Sequence, residues 1–237
     1  MVFSLVFPNE IWLNFPPRLK FAVFTWYGAT IEMEGTTETD YTAGETPMVS
    51  YGSMHAILEA RRTRAKASPS GDSESSQVVI VVGPIDSGKS TLSWMLLSWA
   101  AKQGLKPTFI DLDIGQGSIT IPGCIAATPI EMPIDPVEGI TLDMPLVYFF
   151  GHTTPRRFAG NAEFRASGMV INTMGWIEGV GYDLLSHAFR TLKANVVLVL
   201  GKTVQLLRDV LKGEPKVDVK LQRSGGIVSR NVKVQKF

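Results

Sequence analysis

The stretch that most limits what this chain can fold into is Gln77–Leu92, QVVIVVGPIDSGKSTL. A run of β-branched residues ends on Gly83. After four intervening residues come Gly88, Lys89, Ser90 and Thr91, and then a helical pattern with Leu92, Met95, Leu96, Trp99 and Ala100 on one face. Strand, glycine loop and helix in this order satisfy G-x-x-x-x-G-K-[ST] in the context that gives it meaning. Glycines let backbone N–H groups turn inward around a phosphate, the lysine neutralises phosphate oxygens, and the serine hydroxyl suits a magnesium ion. The helix N-terminus adds partial positive charge. A nucleotide-binding loop is expected here, with Lys89 on the β/γ oxygens and Ser90 on Mg²⁺.

Around the loop, short apolar runs alternate with helical segments. PTFIDLD, PLVYFF, GMVINTM and NVVLVL read as further strands, and residues 182–193 read as a helix through Leu185, Ala188, Phe189 and Leu192. Alternation of this kind predicts a mostly parallel α/β sheet. Three clusters follow strand ends, where such sheets bind ligands. In IDLDIGQGS, strand alternation would point Asp111 and Asp113 the same way, as metal-water holder or proton acceptor. A turn role for Asp111 is equally open. Gly151-His-Thr-Thr-Pro155 offers hydroxyls, or a plain turn. NTMGW brings Trp176 off a strand end, where it would stack on a base or pack in the core.

Before the loop the texture differs. KFAVFTW and TIEME predict a hairpin around Tyr27–Gly28. Residues 47–66 read as a helix capped by Thr46 with Pro47 in its first turn. Its basic end, Arg61, Arg62, Arg64 and Lys66, reads as a solvated helix end, with RNA contact as the alternative. ASPSGDSESSQ is apolar-poor and marks a linker. The division expected is residues 1–46 as a partial β domain, 47–77 as helix and linker, and 78–237 as the nucleotide-binding domain. The 237 residues carry a net charge of +1, so no bulk field draws the chain to nucleic acid. The single cysteine, Cys124, excludes an internal disulfide. No apolar run nears the roughly 18 residues of a membrane span. The opening residues lack a basic n-region and cleavage site, so no signal peptide is expected, which suits a soluble cytosolic or nuclear protein.

The clusters in this order resemble one family, the polyribonucleotide 5′-hydroxyl kinases that include the RNA kinase subunit of pre-mRNA cleavage complex II. KFAVFTWYG, TPMVSY, VVGPIDSGKSTL, DLDIGQGSITIPG, PLVYFFGHTTP, MVINTMGWIEGVGY, VVLVL and SGGIVSR carry the resemblance over residues 20 to about 230, in spelling closest to a plant member. It implies a P-loop domain preceded by the remnant of a small β-sandwich. Asp86, Ser87, Gly88, Lys89, Ser90 and Thr91 would bind ATP, with Lys20 at the base. Ser90 and Thr153 or Thr154 would hold Mg²⁺. Asp113 would activate the RNA 5′-hydroxyl, with Lys89 as catalytic partner, and Trp176 would stack on the terminal RNA base. The implied partners are an RNA 5′ end and other subunits of the nuclear cleavage and polyadenylation machinery. The family's lid arginines and C-terminal domain would lie past Phe237, so turnover is expected to be low. A weakly catalytic or silent ATP-binding scaffold of the same machinery, or a degenerate fragment, stays open beside the kinase.

Overall fold

A computed structural model describes residues 2–4, 12–17, 19–67, 77–141, 145–149, 167–201 and 218–222. A seven-stranded sheet dominates it. Its strands are β3 (Val78–Val82), β4 (Thr108–Asp111), β5 (Cys124–Pro129), β6 (Leu146–Phe149), β7 (Met169–Asn172), β8 (Val196–Leu200) and β9 (Asp218–Gln222). They lie in the order β6-β5-β4-β7-β3-β8-β9. The pairs β4–β7, β7–β3, β3–β8 and β8–β9 are parallel, while β5 runs antiparallel to both β4 and β6. The mostly parallel sheet is as expected. Strands β5 and β9 were not foreseen. In β5, CIAATP has little β-branched content and a proline at its end, and its pairing comes from its neighbours rather than from local preference.

Strand β3 shows how the core is built. Alternate side chains leave opposite faces of a strand. Val79 and Val81 join one apolar cluster, and Val78, Ile80 and Val82 join the other. The first cluster lies under α2 (Lys89–Lys102) and α1 (Met48–Ala67), and the second under α3 (Val180–Leu192). Both faces of the strand are thus covered, which explains its unbroken apolar run. Helix α2 buries more than one stripe: Leu92, Ser93, Leu96, Leu97 and Ala100 are all sealed from solvent. Each fully buried leucine contributes about 1.5–3 kcal/mol. Gly104, at φ +75°, follows the end of the helix. Among the described residues no helix is long and apolar enough to cross a membrane.

Helix α1 starts as its caps predict. Thr46 Oγ1 accepts from Met48 N at 3.3 Å, and Pro47 O accepts from Tyr51 N at 3.0 Å. Met48, Tyr51, Met54 and Leu58 are buried in the same cluster as β3 and α2. The basic end of α1 needs correction. Arg62 is 3% exposed and pairs with Glu59, so it is not a solvated cation. The expected hairpin is also absent. Only Ala22–Phe24 (β2) forms a strand there, pairing in parallel with Val2–Ser4 (β1). Among the described residues the TIEME run has no strand partner, and its Ile31 and Met33 are exposed. A two-stranded hairpin with no face to bury is marginal in water. The linker residues 68–76 lie outside the described residues.

The α1–α2 seam holds a titratable group. His55 lies against the Trp99 ring, with centroids 5.1 Å apart, and its Nε2 is 3.2 Å from the Gln103 side-chain amide. With that amide turned so that its nitrogen faces Glu59, it donates to the Glu59 carboxylate at 3.0 Å and its oxygen accepts from His55 Nε2. Burial lowers the His55 pKa, Glu59 pulls it up, and Arg62 pushes it down. Between the lowered folded value and about 6.5, the unfolded chain binds more protons, so stability falls as pH drops through that window. His55→Gln should flatten the acid side of the stability profile below about pH 6.5. Unfolding curves of the two chains that stay parallel over that range would refute this.

Candidate nucleotide site

Strand β3 delivers the loop of residues 83–88 at its C-terminal end. A Cβ on Gly83 would stand 2.6 Å from Leu200 O and 2.7 Å from Ser87 Oγ, so only glycine fits the close approach to β8. Asp86 and Gly88 both take left-handed backbone, at φ 60° and 88°. They fold the loop back so that α2 opens at Lys89, with its first-turn N–H groups facing the loop. Lys89 is buried, and its Nζ donates to Pro84 O at 2.8 Å, across the loop. Burial lowers its pKa, while Asp113 and then Asp86 pull it back up. Ser87 Oγ is buried with no hydrogen-bond partner among the described residues. A concave loop with an inward ammonium and a spare hydroxyl suits phosphate.

Two neighbouring strands complete the cleft. The register sets Asn172 of β7 opposite Val81 of β3 and opposite Asp111 of β4. Asp111 is 2% exposed. Its Oδ1 accepts from Asp113 N at 3.1 Å and from Asn172 Nδ2 at 3.0 Å, and its Oδ2 accepts from Ser118 N at 2.6 Å. Burial raises its pKa and these hydrogen bonds pull it down. Asp111 is thus engaged in holding the turn. Strand β4 ends at Asp111, so strand alternation does not aim Asp113. A local turn does: Asp113 Oδ1 accepts from Gly115 N and Gln116 N, each at 3.1 Å. This differs from the expectation that one strand would orient both carboxylates.

The segment after β7 rests on the loop. Thr173 Oγ1 donates to Val81 O at 2.7 Å. A Cβ on Gly175 would meet Ile85 N at 2.7 Å. Trp176 is 52% exposed, and glycine at 181 leaves room for its backbone at the start of α3. Its exposure argues against the core-packing alternative.

The structure therefore gathers Asp86, Ser87, Gly88, Lys89, Ser90, Asp111 and Asp113 around one loop, with Thr91 in the first turn of α2. Lys20 is exposed, two residues ahead of β2. Thr153 and the rest of GHTTP lie outside the described residues. Two residues near the loop, Asn172 of NTMGW and Tyr51 of TPMVSY, are given no role by the sequence. Asn172 donates to Ser90 Oγ at 3.3 Å as well as to Asp111. Tyr51 of α1 brings its hydroxyl within 3.8 Å of a Cβ built on Gly88. Only strand register and helix packing bring them in.

Among the described residues no group of three His, Cys, Asp or Glu side chains could hold a metal by itself. Magnesium fits such a site, because it is usually held by one or two protein oxygens plus substrate phosphates and water. Ser90 and the carboxylates beside Lys89 offer those oxygens.

Comparison with known proteins bears on the family and the fold. Residues 83–236 match the family profile described as mRNA cleavage and polyadenylation factor CLP1 P-loop, and residues 2–65 match the N-terminal beta-sandwich domain of polyadenylation factor. The chain is 63% identical over 259 aligned positions to the Protein CLP1 homolog of Arabidopsis thaliana, covering 99% of this chain and 58% of that one. It is 38% identical to the human Polyribonucleotide 5′-hydroxyl-kinase Clp1, over 95% of this chain and 58% of that protein. It thus spans well under two thirds of the length of these relatives. The solved complex of Clp1p with Pcf11p shares the fold, with a TM-score of 0.58 at 24% identity, over 76% of this chain and 49% of that one. A P-loop between matching strands, an N-terminal match and a plant relative this similar leave one assignment: the chain belongs to the CLP1 family of mRNA cleavage and polyadenylation factors.

Proposed function

We propose that this chain binds ATP with Mg²⁺ and transfers the γ-phosphate to an RNA 5′-hydroxyl, as part of the nuclear machinery that cleaves and polyadenylates pre-mRNA. One observation carries the reading. The buried Lys89 ammonium donates across the loop to Pro84 O at 2.8 Å, with Asp113 and Asp86 as acidic neighbours and Ser90 beside it at the start of α2. A phosphate-neutralising cation, a metal-ligating hydroxyl and a candidate base share one cleft. The kinase name of the human relative supports the reaction, and the complex of Clp1p with Pcf11p supports a partner of the Pcf11p kind.

In this reading residues Asp86 to Thr91 enclose the triphosphate and Lys20 meets the base. Lys89 neutralises the β/γ oxygens. Asp113 accepts the proton of the RNA 5′-hydroxyl as that oxygen forms a bond to the γ-phosphorus. The bond from that phosphorus to the β–γ bridging oxygen breaks, and ADP leaves with the electron pair. Mg²⁺, held at Ser90 and, by family resemblance, Thr153, would supply charge for the phosphate oxygens. Positioning and charge account for most of the acceleration in such transfers. Incubation with γ-labelled ATP and a 5′-hydroxyl oligoribonucleotide should label the RNA. Tight ATP binding without label transfer would overturn the kinase and leave a nucleotide-binding scaffold.

Trp176 would hold the terminal RNA base by stacking, a contact worth roughly 1–3 kcal/mol. Trp176→Ala should weaken RNA binding about ten-fold and leave ATP affinity unchanged. A variant whose melting temperature collapses along with RNA binding would show the ring to be a packing element instead.

A further inference from the structure

We propose that Asn172 is a positioning residue for the magnesium side of this site, fixing Ser90 and Asp111 relative to each other. The inference rests on the nucleotide reading above. Asn172 is fully buried at the end of β7, the strand that separates the P-loop strand β3 from the Asp111 strand β4. Its amide nitrogen has two hydrogens and uses both. One goes to Ser90 Oγ at 3.3 Å and the other to Asp111 Oδ1 at 3.0 Å. The reverse orientation would set its oxygen against the Asp111 carboxylate, acceptor against acceptor.

This orientation leaves Asn172 Oδ1 buried with no donor among the described residues. Buried acceptors without a partner are few in folded proteins, and each asks for a reason. Packing supplies none, since a leucine of similar shape would fill the position without an unpaired oxygen. The reason is what the nitrogen holds. Ser90 stands at the start of α2 and Asp111 ends β4, and no other described side chain hydrogen-bonds to both. Accepting from Asn172 occupies one lone pair of the Ser90 hydroxyl and leaves the other for a cation. The same amide restrains the Asp111 carboxylate, whose other bonds fix the turn that carries Asp113.

The test is ATP affinity of the full chain by calorimetry, with and without Mg²⁺, for wild type, Asn172→Leu and Asn172→Ala. The two variants bracket a well-filled and an emptied site, and thermal unfolding of the nucleotide-free chains reports on folding. Removing a residue that orients a metal ligand lowers metal affinity about 10–100-fold. The gain in ATP affinity on adding Mg²⁺ should therefore shrink about ten-fold in a folded variant, while affinity in its absence stays near wild type. An undiminished gain, or equal losses in both buffers, overturns the proposal, as does failure of both variants to fold, which would make Asn172 a structural residue. Wild type that binds no ATP in either buffer overturns the nucleotide reading as well.

Discussion

An Asp113→Asn chain should bind ATP as wild type does and transfer its γ-phosphate about 10²–10⁴-fold more slowly, the range for loss of a general base. The substitution isolates the base because the turn survives it. The asparagine oxygen can still accept from Gly115 N and Gln116 N, as Asp113 Oδ1 does. What goes is the negative charge beside Lys89 and the capacity to take a proton. Labelled-phosphate transfer to a 5′-hydroxyl RNA, followed beside ATP affinity, separates the two functions. Transfer at the wild-type rate would remove Asp113 from the chemistry.

Lys89→Ala should leave the chain folded and weaken ATP binding by about 2–5 kcal/mol, roughly 30-fold or more. The asymmetry follows from its surroundings. Without nucleotide, the ammonium is buried and its main hydrogen bond is to Pro84 O. Its removal costs that bond and relieves the desolvation that lowers its pKa. With nucleotide, the same ammonium faces the β/γ oxygens inside a partly dry cleft, where a charge pair is worth more than in water. Equal ATP affinities for the two chains by calorimetry would refute the role.

The substitutions at Trp176 and Asn172 read out different steps from these two. Loss of the ring is expected to act on RNA alone, and loss of the amide on the magnesium dependence of ATP binding. Asp113→Asn with normal ATP binding, Trp176→Ala with normal ATP binding and Lys89→Ala without it would together place three contributions in one cleft.

The sequence by itself determined the features that depend on neighbours in the chain. The loop between Gly83 and Lys89 was legible because it needs glycines at set spacing, a strand before and a helix after. The start of α1 was legible because Thr46 and Pro47 act within a turn of it. The buried strands Val78–Val82 and Val196–Leu200 were legible because both faces are covered and every residue is apolar. Family membership followed from motifs of the same local kind. Tertiary structure alone decided what depends on partners distant in sequence. TIEME has the composition of a strand and forms none, because a strand needs an edge to pair with. Cys124–Pro129 lacks the composition and becomes one between β4 and β6. Arg62 looks like a solvated cation and is buried against Glu59. Asn172 opens NTMGW, but that motif alone assigns it no role. Its place between Ser90 and Asp111 exists because β7 inserts between β3 and β4, and hydrogen bonds across strands are set by register, which no single segment encodes.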